Sequence, residues 1–374
     1  MDSGDLLNED EVIPTTVTQS ARMKAETIVD LYKSIGIDAV NVGEFDLVLG
    51  IEYLKELAKK KDFPFISANI VDAGGAAIFP RYVIRNVGGK SVGIFGLIGD
   101  TGDMPNKVKE ITNGEASVAD AVATATSVVE ELKGKADYIV AITHQQANRD
   151  YVIARRVSGI NIVVGGHDRQ RTVEPIEVDG KTLIVRAGEK GQYLGMLGID
   201  STDSSVSHEL VPLGDDIAAD LAIKAIISAY SDRVFDMYSA GGEVGVNPAV
   251  GVTLQSEKCG TCHAVHLKQW KTTDHAKAYN TLFEKTKNYD PTCLACHTVR
   301  FEQPGGFNMT EQQMPLVHVQ CEACHGDAKD HLASMQKIPV PRPTIDVCAK
   351  CHTPDRNPNL VPDQKIFLDK IKHQ

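Results

Sequence analysis

The chain has 374 residues, enough for two domains with hydrophobic cores, and its hydrophobic content of 42% is ordinary for a globular protein. Its formal net charge is −11, with the acidic excess before residue 252, so neither nucleic acid nor an anionic membrane surface is expected as a partner. No apolar run reaches the roughly 18 residues of a transmembrane helix, so no membrane span is expected.

Helices and short apolar runs alternate through the first part of the chain. Helical patterns cover residues 20–34, 50–61 and about 117–134. This alternation predicts an α/β sheet layered with helices. From about residue 173 to residue 202 strands and turns follow, with a hairpin signal at Asp179-Gly180. The apolar runs that have the length of strands are residues 39–42, 65–68, 92–97, 138–141 and 162–164.

A change of pattern predicts where the first domain ends. Residues 216–239 have the spacing of an amphipathic helix, and a glycine-rich stretch from Ala240 to Gly251 is typical of a linker. We therefore predict one domain over residues 1–213, a connecting helix and linker over 214–251, and a second domain over 252–374. The second domain is expected to consist mainly of helices and loops.

All eight cysteines of the chain lie in four Cys-x-x-Cys-His motifs of the second domain. This spacing is typical of covalent c-type haem attachment, in which two thiols bond the haem and the adjacent histidine reaches the iron. Zinc sites and a disulfide framework are the alternatives, but zinc ribbons need no histidine after every second cysteine, and no cysteine is left over for bridging. The sequence therefore predicts four c-type haems on Cys259, Cys262, His263, Cys293, Cys296, His297, Cys321, Cys324, His325, Cys348, Cys351 and His352.

Haem attachment of this kind indicates a compartment. Because c-type haem is attached after export, we expect the protein in the periplasm or outside the cell. The first residues lack the basic and apolar regions of a signal peptide. We therefore expect that residue 1 is not the natural start.

Residues 252–356 resemble the tetrahaem cytochrome c-554 family. The resemblance is carried by the motifs and by the stretches from Trp270 to Ala276, from Gly305 to Phe307 and from Val319 to Gly326. It implies that His275 ligates the Cys321 haem and that His331 ligates the Cys259 haem, so that these two haems pack closely. Since one haem of the family is five-coordinate, the Cys293 or Cys348 haem can be open. The remaining candidates for distal ligands are His318 and His373.

Loops that follow the predicted strands in the first domain carry a second resemblance. They are similar to the loops of the calcineurin-like metallophosphatases, nearest to the N-terminal domain of secreted 5'-nucleotidases, over residues 1–212. In that family two metals clamp the phosphate and activate a hydroxide. The motifs are Ser3-Gly4-Asp5, Val42-Gly43-Glu44-Phe45-Asp46, Ser67-Ala68-Asn69, Ile142-Thr143-His144 and Gly165-Gly166-His167-Asp168.

Departures from the phosphatase pattern weaken the expected activity. The Asp-x-His motif on the family's first strand is missing, Phe45 occupies the position of the catalytic histidine, and Arg169 replaces a metal-ligating histidine. The resemblance implies that one metal site is lost. The other keeps a set that suits one divalent ion, unless it is only a hydrogen-bonded remnant. That set is Asp5, Glu44, His144 and His167.

These patterns together predict an exported tetrahaem c-type cytochrome that transfers electrons through closely packed haems, with a catalytically degenerate metallophosphatase-like domain. Redox proteins or other copies of the chain are the expected partners, and assembly into a haem-chain oligomer is one expected form. A haem oxidoreductase acting at one open haem is an alternative. A residual metal-dependent phosphohydrolase is another.

Overall fold

The computed structural model describes residues 1–9, 11–13, 18–200, 205–214, 216–239, 255–285, 287–288, 290–301, 303, 305–307, 315–334, 337–353, 368–369 and 371–372. The chain divides into two compact units. The first comprises Met1–Pro14 and Ala21–Ile226, and the second comprises Thr15–Ser20 and Ile227–Gln374. The predicted linker from Ala240 to Gly251 and the candidate ligand His373 lie outside the described residues.

Strands and longer helices alternate in the first unit, as the periodicity predicts. The helices are α1 (Thr18–Ile35), α2 (Ile51–Lys61), α3 (Met104–Ile111), α4 (Ala121–Leu132) and α5 (Ala147–Arg156), followed by α6 (Leu221–Ser239), which begins in the first unit and ends in the second. The strands are β1 (Val40–Asn41), β2 (Phe65–Ile66), β3 (Ile70–Val71), β4 (Tyr82–Val87), β5 (Lys90–Ile98), β6 (Ser117–Val118), β7 (Tyr138–Gln145), β8 (Ile162–His167), β9 (Ile176–Val178), β10 (Thr182–Val185), β11 (Tyr193–Ile199) and β12 (Val206–Pro212).

A six-stranded sheet in the order β4-β5-β7-β8-β10-β9 forms the centre of the first unit. The four inner strands β5, β7, β8 and β10 are parallel, and the edge strands β4 and β9 are antiparallel to their neighbours. Strand β7 is buried almost along its whole length, which is why Tyr138 to Ile142 form a continuous apolar run rather than an alternating one. The parallel register places the carboxyl ends of β5, β7 and β8 at one edge of the sheet.

Helices cover the sheet on both faces. Phe95 and Leu97 of β5 pack in one cluster with Val128 and Leu132 of α4. Ile98 instead joins the cluster that contains residues of α1 and α2. The predicted α/β fold of layered helices and sheet is confirmed.

The hairpin signal at Asp179-Gly180 is also confirmed. With Lys181 they connect β9 and β10, which pair antiparallel, and the Lys181 N–H donates to the Val178 carbonyl oxygen at 3.1 Å, so that Asp179 and Gly180 are the central residues of the turn. Asp179 has a φ of 51° and Gly180 a φ of 67°, as a two-residue turn with both central residues in the left-handed region requires. Asp and Gly adopt such angles at low cost, so the turn is specified locally.

The second unit is built from short helices and loops, as predicted. The second and third cysteine motifs lie wholly within two of these helices, and the first and fourth motifs begin in two others. A small apolar cluster of Tyr279, Leu282, Leu294, Val299, Phe307 and Leu316 packs beside them. No helix among the described residues is long and apolar enough to cross a membrane. The helices are α7 (Ser256–Gly260), α8 (Ala264–Trp270), α9 (Asn280–Glu284), α10 (Pro291–His297), α11 (Cys321–His325), α12 (Lys329–Ala333) and α13 (Ile345–Ala349).

Candidate metal-binding and haem-binding sites

Two histidines meet at the carboxyl edge of the sheet in the first unit. His144 lies near the end of β7 and His167 ends β8, and the register pairs His144 with Gly166 and Gln145 with His167. Their ring centroids are 5.0 Å apart, and His167 Nδ1 lies 3.3 Å from His144 Nε2. Adjacent parallel strands therefore bring together two imidazoles that are separate in the sequence.

Two carboxylates complete this cluster. Asp5 Oδ2 lies 3.1 Å and Glu44 Oε2 lies 2.9 Å from His144 Nε2. Glu44 is almost fully buried, and its Oε1 is 3.8 Å from His167 Nδ1. Although Glu44 Oε2 is close to the imidazole, it accepts no well-directed hydrogen bond. A buried carboxylate oxygen without such a bond is expected where a cation belongs.

The tautomer of His144 suits a metal ligand. Its Nδ1 lies 3.0 Å from the carbonyl oxygen of Ser3 and therefore donates to it, which directs Nε2 toward the carboxylates. Burial by itself lowers the pKa of His144, but the close carboxylates of Asp5 and Glu44 outweigh burial and raise that pKa well above its ordinary value. Nε2 therefore carries either a proton or a metal ion.

The spacing of the ligand atoms fits one ion. In a tetrahedral site with metal–ligand bonds of 2.0–2.1 Å, neighbouring ligand atoms are about 3.3 Å apart. The contacts in this cluster range from 2.9 to 3.8 Å. Among the described residues, one group of at least three potential ligands has its ligand atoms all within 4.8 Å of one another; it consists of Glu44, His144 and His167, and Asp5 adjoins it at His144. The structure thus brings together all four residues that the sequence predicts.

Asp46 holds the two acidic loops in place. Its carboxylate accepts the backbone N–H groups of Asp5 at 3.0 Å, Gly43 at 2.9 Å and Leu7 at 2.9 Å. Burial, with the nearby charge of Asp5, raises the pKa of Asp46 to about 7. A Cβ at Gly43 would lie only 2.3 Å from Asp5 Oδ1, so the close approach of the two loops requires glycine there.

A buried ion pair supports the strand that carries His144. Asp150 of α5 pairs with Arg186 and also accepts hydrogen bonds from Thr143 Oγ1 at 2.8 Å and Gln145 Nε2 at 3.0 Å. Both chain neighbours of His144 are therefore fixed by one carboxylate. Asp150 and Arg186 were not among the residues predicted from sequence, because their partnership depends on tertiary contact between distant segments.

The two positions that depart from the phosphatase pattern have other roles here. The backbone N–H of Phe45 donates to Asp5 Oδ1 at 2.8 Å, and Lys107 Nζ lies 5.5 Å from the Phe45 ring centroid. Arg169 is largely exposed, with Nε 3.2 Å from Glu189 Oε2. Neither side chain can supply the imidazole that the pattern requires for proton donation or for a second metal.

In the second unit, two proximal histidines have the tautomer that haem iron requires. His297 Nδ1 lies 2.6 Å from the carbonyl oxygen of Ala278, and His325 Nδ1 lies 3.0 Å from that of Pro341. A carbonyl can only accept, so each Nδ1 donates and each Nε2 keeps a lone pair for iron. These side chains are oriented for haem by backbone contacts.

His331 faces His263, the proximal residue of the first motif. The two ring centroids are 6.2 Å apart and the ring planes are inclined at 30°. Two imidazoles bound to opposite faces of one iron have centroids about 6 Å apart, because each metal–nitrogen bond is about 2 Å. His331 Nδ1 lies 2.7 Å from the Ile338 carbonyl oxygen, so its Nε2 also keeps a lone pair. His266 on α8 lies beside the same ring, with centroids 5.6 Å apart.

His275 pairs with a different haem motif from the one that the resemblance implies. Its ring lies 5.9 Å from that of His352, the proximal residue of the fourth motif, at an interplanar angle of 59°. Burial and the nearby His352 lower the pKa of His275, which keeps the ring neutral as an iron ligand must be. The assignment of His275 to the Cys321 haem stays a prediction, whereas the proximity of the His352 ring favours the Cys348 haem, because chain folding as well as sequence offset decides which ring it meets.

Two thiols from different motifs are in contact. The Cys259 thiol of the first motif lies close to the Cys321 thiol of the third, and their interaction lowers the pKa of the Cys321 thiol to about 6. Ser256 Oγ lies 3.2 Å from Cys321 Sγ. The attachment points of the first and third motifs are thus adjacent, and the close pair of haems stays a prediction.

The geometry of His318 argues against the prediction that it ligates iron. Its Nδ1 accepts the backbone N–H of Tyr279 at 3.2 Å. A neutral histidine that accepts at Nδ1 carries its proton on Nε2, so neither nitrogen is then available to iron. The backbone of His318 has a φ of 73°, in the left-handed region that histidine tolerates better than most residues.

Comparisons with known proteins agree with the division of the chain into two units of different kinds. Residues 258–326 match the family model described as cytochrome c554 and c-prime. The second unit carries a cytochrome c554-type region. Cytochrome c-554 of Nitrosomonas europaea is 31% identical over 96 residues, which cover 22% of this chain and 41% of the relative. These matches confirm the resemblance to the cytochrome c-554 family, and the matches of the first unit, given next, confirm the resemblance to the metallophosphatases.

The first unit matches phosphoesterases. The 5'-nucleotidase of Rattus norvegicus is 29% identical over 235 residues, which cover 55% of this chain and 40% of the relative. The structure of Thermus thermophilus sulfate thiohydrolase SoxB superposes with a TM-score of 0.53 at 23% identity, covering 63% of this chain and 42% of that protein. This likeness shows a calcineurin-like phosphoesterase fold. The chain spans less than half the length of these relatives.

Proposed function

We propose that the protein is an exported tetrahaem c-type cytochrome that transfers electrons, joined to a metallophosphatase-like domain that binds one divalent ion and hydrolyses phosphate esters poorly. The cytochrome c554-type region supports multihaem electron transfer. The observation that carries the proposal is the pairing of imidazoles across two haem motifs, His331 with His263 and His275 with His352.

The residues of the second unit fit four haems. Each motif supplies two thiols for tethering and one imidazole for the iron. Bound haem iron changes between two oxidation states, and the ligands and their burial set its potential. His263 with His331 and His352 with His275 would hold two irons from both faces, which favours electron transfer without binding of a substrate. Cys262 is exposed, so the edge of a haem attached there would lie near a surface where redox proteins or further copies of the chain can dock.

The donor set of the first unit fits one ion rather than the pair that phosphate hydrolysis uses. A single ion at Asp5, Glu44, His144 and His167 would act as a Lewis acid there. Phe45 offers no proton to a leaving oxygen, and the Arg169 guanidinium repels a second cation. The chain's own residues would therefore bind the metal ion and orient a bound anion. They lack an acid at the Phe45 position that could donate a proton to the leaving oxygen.

A second candidate function is a haem oxidoreductase at the Cys293 haem. Within the described residues, no other imidazole ring lies beside that of His297, in contrast to His263 and His352. An iron ligated by His297 alone would keep one position open for a small molecule. Electron paramagnetic resonance of the ferric protein separates the two candidates, because an open iron is high-spin.

A direct experiment compares the full chain, matured in a host with a complete c-type haem-attachment system, with its Cys348→Ser/Cys351→Ser variant. We expect one covalent haem fewer in the variant and the loss of one redox transition. Turnover of a generic phosphomonoester is measured in the same samples with added divalent ions. An absence of covalent haem, or fast hydrolysis with no reversible redox transitions, would overturn the proposed function.

A further inference from the structure

One peptide group connects two histidines of the second unit. The carbonyl oxygen of Ala278 accepts the Nδ1 proton of His297 at 2.6 Å. The N–H of Tyr279, which belongs to the same peptide group, donates to His318 Nδ1 at 3.2 Å. The two hydrogen bonds therefore form a chain from the proximal histidine through the peptide to His318.

The surrounding backbone holds this chain in place. Thr298, directly after His297, forms a β-bridge with Val317, directly before His318. The Val299 N–H adds a bond to the Leu316 carbonyl oxygen at 3.0 Å. The two histidines are therefore placed by a single paired segment, and their relative position does not depend on side-chain freedom alone.

Tyr279 fixes the bridging peptide from its other side. The Tyr279 side chain is 4% exposed and its ring meets that of Phe307 edge to face with centroids 5.8 Å apart. Its hydroxyl donates to the Asn288 carbonyl oxygen at 3.2 Å. A peptide anchored in this way keeps the Tyr279 N–H directed at His318 Nδ1.

We propose that His318 is a positioning residue of the Cys293 haem, which acts through the Ala278–Tyr279 peptide to strengthen the hydrogen bond from His297 and so lowers the potential of that haem. Hydrogen bonds in a chain polarise one another by roughly 10–30% per bond. A stronger acceptor at Nδ1–H makes the imidazole a more basic ligand and favours the more highly charged iron. This inference rests on the proposed function, because it requires a haem on Cys293 and Cys296.

Two further features agree with a non-ligand role. Burial lowers the pKa of His318, which keeps Nδ1 free of a proton and able to accept. Its φ of 73° is costly for most side chains and persists where the surroundings hold the residue in a specific task. Asparagine tolerates the same φ and has a side-chain oxygen that can accept, whereas glycine tolerates the φ and has no acceptor. These two residues make a matched pair of substitutions.

The test uses the full haem-loaded chain as wild type, His318→Gly and His318→Asn, with protein-film voltammetry and ferric electron paramagnetic resonance. In His318→Gly we expect one midpoint potential to rise, with a roughly threefold change in that haem's reduction equilibrium constant, about 30 mV at 59 mV per tenfold. In His318→Asn all potentials should stay at the wild-type values, and neither variant should gain high-spin signal.

Several results would overturn the role of His318. They are unchanged potentials in His318→Gly, an equal shift in both variants, or a new high-spin signal in both, which would make His318 an iron ligand. Peptide mapping of the wild type separates these from failure of the proposed function. A segment 291–297 without haem would contradict the haem assignment itself, whereas a haem-bearing segment with unshifted potentials would contradict only the link through His318.

Discussion

The imidazole ring centroids of His331 and His263 lie 6.2 Å apart, and the Ile338 carbonyl oxygen fixes the Nδ1 proton of His331. The geometry leaves the Nε2 of His331 directed away from that carbonyl with a free lone pair. We infer that these two imidazoles ligate one iron, that of the Cys259 haem. Their separation in the sequence means that the iron would also tie α12 to the first motif.

Substitution His331→Ala is therefore expected to open one iron. The covalent links and the proximal bond remain, so the unit should stay folded while one haem changes from low-spin to high-spin. Ferric electron paramagnetic resonance measures this change as high-spin signal from about one haem per chain. His208→Ala, in the hairpin of the other unit, is the control and should leave the spectrum unchanged. A wild-type spectrum for His331→Ala would show that His331 is not a ligand.

His275→Ala is expected to open the Cys348 haem. The reason is the 5.9 Å separation of the His275 and His352 rings. The assignment can be tested in two backgrounds, one without the fourth haem (Cys348→Ser/Cys351→Ser) and one without the third (Cys321→Ser/Cys324→Ser). His275→Ala should add a high-spin signal only when the fourth haem is present. A high-spin signal that instead requires the third haem would confirm the sequence-based assignment of His275 to the Cys321 haem.

The choice of haem for His275 shows a limit of sequence reasoning. The motif spacing predicts all four attachment sites, because the cysteines and the histidine of each motif are neighbours in the chain. The partner ring of His275 cannot be read from spacing in the same way, because His275 meets the ring of His352, 77 residues away, only after the chain has folded. Sequence offsets within a resembling family identify a ligand more securely than they identify the iron that it meets.

The metal site of the first unit should hold one divalent ion. We expect the apo chain to bind about one Mn²⁺ or Zn²⁺ with heat released in calorimetry. His167→Ala should weaken binding roughly tenfold or more, since loss even of supporting groups has effects of that size. Glu44→Gln, which keeps size and removes charge, should weaken it as well. Two ions bound per chain, or unchanged binding in His167→Ala, would contradict a single site at these residues. His208→Ala again serves as the control.

The ion pair between Asp150 and Arg186 should be important for stability. Asp150→Ala leaves the Arg186 charge buried without its partner, which costs about 3–5 kcal/mol. For a unit of this size the midpoint of thermal unfolding should fall on the order of 10 °C. Differential scanning calorimetry measures the change. Glu130→Ala removes the exposed pair with Lys133 and should leave the midpoint unchanged. Equal small effects in both variants would show that the buried pair is not needed.

Hydrolysis of phosphate esters should be slow. Phe45 cannot donate a proton, and Arg169 replaces a metal ligand, so turnover with added divalent ions should stay far below the order of 1 s⁻¹ that is ordinary for enzymes. Phe45→His restores one imidazole but not the second metal, and should therefore remain slow. Enzymatic turnover by the wild type in a phosphomonoester assay would show that the site is complete without these groups.

The two units differ in how much the sequence could predict. In the first, strand and helix periods are local signals, and the loops at the strand ends place Asp5, Glu44, His144 and His167 together once the sheet is known to be parallel. Asp150 and Arg186 have no local signal, since a buried charge is recognised only by its partner. In the second, haem rather than apolar side chains would supply most of the core, so hydrophobic periodicity gives little information there.

The covalent haem content tests the central claim most directly. The full chain, matured in a host with a complete c-type haem-attachment system, should show four haem additions by intact mass spectrometry under denaturing conditions. Cys293→Ser/Cys296→Ser should show three, and removal of each other motif should do the same. Fewer than four additions in the wild type, or a motif whose removal leaves the mass shift unchanged, would contradict a tetrahaem cytochrome.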